Sequence, residues 1–470
     1  MRRITLPLLA LALFGLSSGC AHPDAPATDA PLPLSVSADG HFLETSDGKP
    51  FFWLGDTGWL LLKRLDREET EHYFAKRAGQ GFNVIQVMVL HAPDMADAYG
   101  APALIDGDPA RPRTTPGNDP ANPEQYDYWD HLDWVVERAA AHGLYLALVP
   151  SWGSLVNAGK LTPESAAQYG RFLAERYRAH PNIIWLNGGD TKGDENQDTW
   201  NSLGEALKAA DPGHLMTFHP FGRTDSSWSF HAAPWLDFNM FQSGHRTYAQ
   251  DDTPGARGED NWRYVAEDWA RTPTKPTIDG EPSYENIPHG LHDTSQPRWQ
   301  AADMRRYAWW AVFAGAMGHT YGDNAVMQMY VPGRDNPAYG ADTQWNVALD
   351  APGAAQMRHL EALMLSCPYF ERVPDQSLIV DNGERYDRVL ATRGKSYAMA
   401  YTYTGRPFGV RLGVISGKTV RAQWFDPRTG ATQAIGTFPN TGVRQFDPPG
   451  DPAPGNDWAL VLDDEAVARP

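Results

Sequence analysis

Two acidic residues carry the chemistry that this sequence makes available. Glu281 lies in Lys275-Pro-Thr-Ile-Asp-Gly-Glu-Pro-Ser-Tyr-Glu285, where a short apolar run passes directly into a cluster of carboxylates. Thr277 and Ile278 favour extended backbone, Gly280 permits a kink, and Pro282 keeps Glu281 out of a helix, which predicts a carboxylate held at a strand's exit. Asn182-Ile-Ile-Trp-Leu-Asn-Gly-Gly-Asp190 repeats the design: an apolar run ends in Asn187 and Asp190, with two glycines that allow the backbone close to a bound molecule. Glycoside hydrolysis needs one carboxylic acid to protonate the leaving oxygen and one carboxylate to attack or stabilise the anomeric carbon. We expect Asp190 as the acid and Glu281 as the nucleophile, roughly 5–5.5 Å apart if configuration is retained. Glu285 is the rival to Glu281, and otherwise a substrate ligand.

For these groups to meet, the strands that carry them must end at one mouth. Eight apolar runs start near Phe51, Asn83, Leu144, Asn182, His214, Leu236, Lys275 and Gly318. Helical or long connections separate them, as in an α/β (β/α)8 TIM barrel, where chemistry sits at the C-terminal ends of the strands. Helix signals fall between the runs: acidic residues after Asp66, Thr162 followed by Pro163, and helical spacing from Tyr126 to His142. The barrel rule adds Asp56, Trp59, His91, Trp152, Asn187, His219, Tyr284 and Tyr321 as expected substrate-binding residues. Asp56 would hold sugar hydroxyls or cap the turn after its strand; Trp59 and Trp152 would stack on a ring or fill the core. Asn187 would hold a hydroxyl beside the acid, and Tyr321 would orient Glu281 or pack. His91, His219 and His319 fit no ligand spacing, and there is no phosphate loop, serine elbow or Cys/His pair, so no metal or cofactor is expected.

The formal charge of −18 and the absence of any run of basic residues argue against nucleic acid and anionic membranes as partners. A neutral or uronate-poor glycan fits better, and 17 Trp and 19 Tyr offer faces on which sugars stack. No protein partner is implied. Beyond Leu349 the pattern turns to short alternating strands with Asn-Gly and Thr-Gly turns, which predicts an antiparallel β-sandwich. Residues 1–20 read as a signal peptide of lipoprotein type, with Arg2 and Arg3, an apolar stretch and a small-residue site ending at Cys20. Lipidation of Cys20 would anchor the chain in a bacterial cell envelope; simple secretion is the alternative. Cys367 is the sole other cysteine, so a lipidated Cys20 leaves no internal disulfide. The expected division is leader 1–20, flexible tether 21–34, barrel 35–370 and sandwich 371–470.

At Phe52-Trp-Leu-Gly-Asp-Thr-Gly-Trp59, Gly81-Phe-Asn-Val-Ile-Gln-Val87, Asn187-Gly-Gly-Asp190, Asp279-Gly-Glu281 and His319-Thr-Tyr-Gly322 the chain resembles the apiosidase-like glycoside hydrolases, family 140 and its relatives. The resemblance spans about Leu34 to Val461 and includes Trp424-Phe-Asp-Pro-Arg-Thr-Gly430, similar to a module labelled as collagen-binding. It implies a (β/α)8 barrel, cleavage of apiosyl linkages in pectin side chains, an acid at Asp190 and a nucleophile at Glu281. Two alternatives stay open: a related barrel glycosidase for another sugar, and a surface lipoprotein that binds glycan without cutting it.

Overall fold

The computed structural model describes residues 30–467 except 254 and 256. The expected leader, the lipidated Cys20 and most of the tether lie outside the described residues.

All eight apolar runs form strands: β1 (Trp53–Thr57), β2 (Val84–Leu90), β3 (Tyr145–Ser151), β4 (Ile183–Thr191), β5 (Met216–Pro220), β6 (Asn239–Gln242), β7 (Thr277–Asp279) and β8 (Gly318–Tyr321). Strands β8, β1, β2, β3, β4 and β5 pair in that order, all parallel, in one curled sheet. Strands β6 and β7 pair parallel in a separate small sheet. The continuous eight-stranded ring expected from the sequence is therefore split into six and two. The seams carry isolated backbone bonds, such as Asp237 N–H to the Met216 carbonyl (2.8 Å) and Met317 N–H to the Thr277 carbonyl (3.0 Å). The side of β6 away from β7 is taken by the two-residue antiparallel strand Thr224–Asp225, and β5 ends in Pro220, which has no N–H to donate.

Helices α1 (Arg67–Gly79), α2 (Tyr128–Ala141), α3 (Pro163–Tyr177), α4 (Gln197–Ala210), α5 (Trp262–Trp269), α6 (Ala301–Phe313) and α7 (Pro352–Leu365) fill the connections. Asp66 and Asp127 close capping boxes with Glu69 and Asp130, and Thr162 caps a helix that starts on Pro163. Successive strand residues go to opposite faces. Trp53, Tyr145, Ala147, Ile184 and Leu186 share one core with Phe238 and Met240. Ile85, Val87, Leu146, Leu148 and Trp185 share the other core with the helical Phe74, Leu132, Val136 and Leu173. This alternation decides which strand-end side chains reach the mouth.

After α7 the chain forms antiparallel sheets of six and three strands. They face each other across Val389, Ala400, Phe408, Val410, Trp424, Phe446 and Leu460. Three of these strands, Phe408–Arg411, Thr432–Pro439 and Val443–Phe446, lack a clean alternation and were not expected; Thr432–Pro439 has no buried residue. The other face of the six-stranded sheet sits on α6. Tyr401 stacks on Trp309 with centroids 5.2 Å apart, and the buried Arg305 grips Asp457 through Nε at 2.8 Å and Nη2 at 2.7 Å.

Candidate active site

Glu281 leaves β7 through Gly280, where a Cβ would stand 2.4 Å from the Met240 sulfur. Glycine is needed there for packing against β6. The Glu281 carboxylate is almost fully buried and faces two imidazoles, His245 Nε2 at 3.0 Å from Oε1 and His219 Nε2 at 3.4 Å from Oε2. The first contact is a hydrogen bond and the second a longer ion-pair distance. Burial by itself would raise this carboxyl, but the two histidines outweigh it and hold Glu281 at about 2. The loop bearing His245 is pinned to the Glu281 segment: Gly244 N–H donates to the Glu281 carbonyl (3.1 Å), and Ser283 Oγ donates to the Gly244 carbonyl (2.8 Å).

Asp190 reaches the same cavity from β4 by a break in the pleat. Gly188, Gly189 and Asp190 all have positive φ, 89°, 118° and 48°, and the pairing of β4 with β5 shifts between Gly188 and Thr191. A Cβ at Gly188 would lie 2.7 Å from the His219 carbonyl oxygen, and one at Gly189 2.6 Å from the Trp152 ring. Glycine is thus required twice, by conformation and by space. Asp190 keeps an exposed edge at the mouth; partial desolvation by the cavity wall, and then the negative charge of Glu281, push its carboxyl up to about 6. One cavity therefore holds a carboxylate kept ionised and a carboxyl kept protonated well above its usual range, the pairing that acid-assisted displacement at an acetal carbon requires.

The cavity, about 260 Å³, is lined by Trp59, His91, Trp152 and Tyr284 as expected, with Asp190 and Glu281. Tyr284 accepts a hydrogen bond from Trp59 Nε1 at 3.0 Å and packs edge-on against His245. Trp59, Trp152 and His219 lie within 5.2–5.7 Å of one another, centroid to centroid. His219 is fully buried beneath Glu281, so it holds the carboxylate and does not face substrate.

Besides His219, three expected substrate contacts are corrected. Asp56 points into the helical layer, where its Oδ2 accepts from Arg77 Nε (2.7 Å) and Tyr73 (2.6 Å), and it is fully buried. Asn187, one pleat position from Leu186, also faces the helices and donates to the Trp200 carbonyl at 2.8 Å. Tyr321 donates to Glu285, not Glu281, at 2.6 Å. Glu285 also accepts from Gly353 N–H at 3.2 Å and is itself buried, which removes it as the rival nucleophile. His319 is buried as well, and among the described residues no three His, Cys, Asp or Glu side chains gather as a metal site.

The Apiosidase-like, catalytic domain family model matches residues 37–371. This chain belongs to the apiosidase-like glycoside hydrolases. A second model, the "Putative collagen-binding domain of a collagenase", matches residues 373–463. Among solved structures the chain is similar to a glycoside hydrolase at 48% identity, covering 93% of this chain and 98% of that one with a TM-score of 0.87. It is also similar to a glycoside hydrolase family 5 protein from Bacteroides vulgatus ATCC 8482 at 45% identity, covering 93% and 94% with a TM-score of 0.88. Comparison with curated proteins finds no match.

For this apiosidase-like hydrolase, sequence reasoning missed much of the cavity wall, including two residues that bear on the carboxyls, His245 and Tyr339. His245 follows the end of β6 by three positions, after Gly244 with φ 77°, and a Gly-His step at a strand's exit parallels Gly280-Glu281. Tyr339 lines the cavity from the excursion after β8, and no strand-end rule finds it. Burial, then the charges of Glu281 and Asp190, raise its hydroxyl, so it feels both carboxylates.

Proposed function

We propose that this glycoside hydrolase releases an apiosyl unit from a branched pectic glycan of rhamnogalacturonan-II type with retention of configuration. Asp190 protonates the glycosidic oxygen and Glu281 attacks the anomeric carbon. Asp190, left ionised, then takes a proton from the water that hydrolyses the glycosyl-enzyme. Trp59, Trp152, His91 and Tyr284 hold the sugar, while His219 and His245 keep Glu281 ionised. The observation that carries this reading is that two carboxyls line one cavity in different surroundings, Glu281 against His245 (3.0 Å) and His219 (3.4 Å), which hold it at about 2, and Asp190 without such a partner, pushed up to about 6. The family match supports the sugar.

In the same reading the eight strands are those of a (β/α)8 barrel with two open seams. The barrel spans 35–370, the sandwich 371–470, and a lipid on Cys20 tethers both to the cell envelope. Incubation with rhamnogalacturonan-II fragments, with the anomer of the first product read by NMR before mutarotation, tests the function. Free apiose of retained configuration is expected. Inverted product sinks the nucleophile role, and release of a different sugar sinks the substrate.

A further inference from the structure

A second cavity, about 500 Å³, opens where the βα loop after β6 meets the C-terminal sheets. Arg257 and Arg263 enter it from the barrel, and Arg385 and Arg388 from the sandwich side, with Tyr248 and Trp262 between them and two carboxylates, Asp260 and Glu384, also on the wall. Arg257 is paired with Glu267, and Asp260, which accepts from the Tyr248 hydroxyl, and Glu384 act on the charge of Arg388. Among the described residues neither they nor any other carboxylate comes within ion-pairing distance of Arg263, Arg385 or Arg388, so four arginines face two carboxylates in the cleft. Arg388 is held over the Trp262 ring at 3.8 Å and Arg385 over Tyr248 at 5.1 Å, so aromatic faces fix the guanidinium planes. The walls are tied together by the fully buried Glu259. It accepts from Tyr248 N–H (3.1 Å), Tyr386 Oη (2.8 Å) and Arg306 Nη2 (2.6 Å). The expectation of no basic patch thus fails in three dimensions: arginines over 120 positions apart converge in a chain of net charge −18.

We infer that this junction is a subsite for the carboxylates of uronate-bearing sugars in an acidic oligosaccharide. Planar guanidinium forks match carboxylates in two-point contacts. A carbohydrate is favoured over a simple anion by two observations. The loop that builds the cleft also carries His245, the hydrogen-bond partner of Glu281, so the cleft lies on the same βα loop as the candidate active site. Arg257 also leads to Trp228, 47% exposed, with its guanidinium 5.7 Å from that ring, which offers a sugar a stacking face. The inference rests on the proposed plant-glycan reading for its choice of ligand class.

Glu281→Gln protein is titrated with tri-galacturonate, with the same trisaccharide after carboxyl reduction, and with inorganic phosphate. The comparison protein carries Arg263→Gln and Arg385→Gln in addition, both on exposed side chains, with thermal melting as the folding control. Tri-galacturonate is expected to bind about tenfold more tightly than its reduced form and to lose about tenfold in the triple variant. Equal binding of the acidic and neutral sugars, an unaffected triple variant, or phosphate that binds as tightly as the trisaccharide overturns the subsite. Apiose release by the wild type is measured in parallel. Its absence with binding intact removes the substrate reading alone, and its presence without binding removes the subsite alone.

Discussion

The first and fourth strands end in similar words, Leu54-Gly-Asp56 and Asn187-Gly-Gly-Asp190, and the fold uses their acids in opposite ways. Asp56 stays in register with its strand, turns outward and neutralises Arg77 of α1 at 2.7 Å. Asp190 follows two glycines whose left-handed backbone resets the pleat, so its carboxyl lands in the mouth beside Glu281. One acid holds a helix to the sheet; the other is available for chemistry. The strand-end rule of barrels selects candidates, and the face on which a side chain emerges decides between them.

The contrast breaks most sharply at Glu281. Glu281→Gln is expected to lower kcat/KM on a pectic fragment by several orders of magnitude, with thermal melting near that of wild type. Asp190→Asn should cost about 10²- to 10⁴-fold, the range for a general acid; an Asp190→Asn enzyme of full activity removes Asp190 from the mechanism.

Asp56→Ala should do the reverse. It leaves the buried Arg77 without its carboxylate and should cost about 3–5 kcal/mol in urea unfolding, while the folded fraction keeps its turnover. A loss of turnover without a loss of stability would return Asp56 to the substrate. Gly189→Ala tests the hinge between the two outcomes. With φ at 118° and a Cβ 2.6 Å from the Trp152 ring, it should lose roughly 1–3 kcal/mol in the same assay and activity as well.

The pH profile sharpens the comparison further. Glu281 must be ionised, above about 2, and Asp190 protonated, below about 6, so kcat/KM should fall as pH rises past about 6. Because the folded state holds the Asp190 proton more tightly than the unfolded chain does, this group's contribution to stability is full below about 3.8, the unperturbed value, and is lost as pH climbs through about 6. Asp190→Asn should abolish that dependence. The smallest effect is expected of His245→Gln: about tenfold in kcat/KM, with the acid limb moved upward because Glu281 loses a partner that holds it ionised.

Much of the frame was legible because it is local. Buried strands such as Val84–Leu90 read as nearly continuous apolar runs, and the helix starts at Asp66 and Thr162 use caps that bond to backbone three residues away. The acids Asp190 and Glu281 were legible for a related reason: glycine and proline around them mark backbone that is neither helix nor plain strand. Asp56, Asn187 and Tyr321 misled because a pleat of period two turns a one-residue offset into the opposite face. Thr432–Pro439 was missed because an exposed edge strand needs no apolar alternation.

From its own residues the chain determined which apolar runs become the eight strands and where several helices start, and that two acids stand at strand exits among glycines, because those properties depend on neighbours a few positions away. The tertiary structure alone decided that His219 and His245 hold Glu281 ionised while desolvation keeps a proton on Asp190. It also decided that arginines from two halves of the chain share one cleft. Charge and desolvation act through space, and the groups that set them lie tens to hundreds of residues apart in sequence.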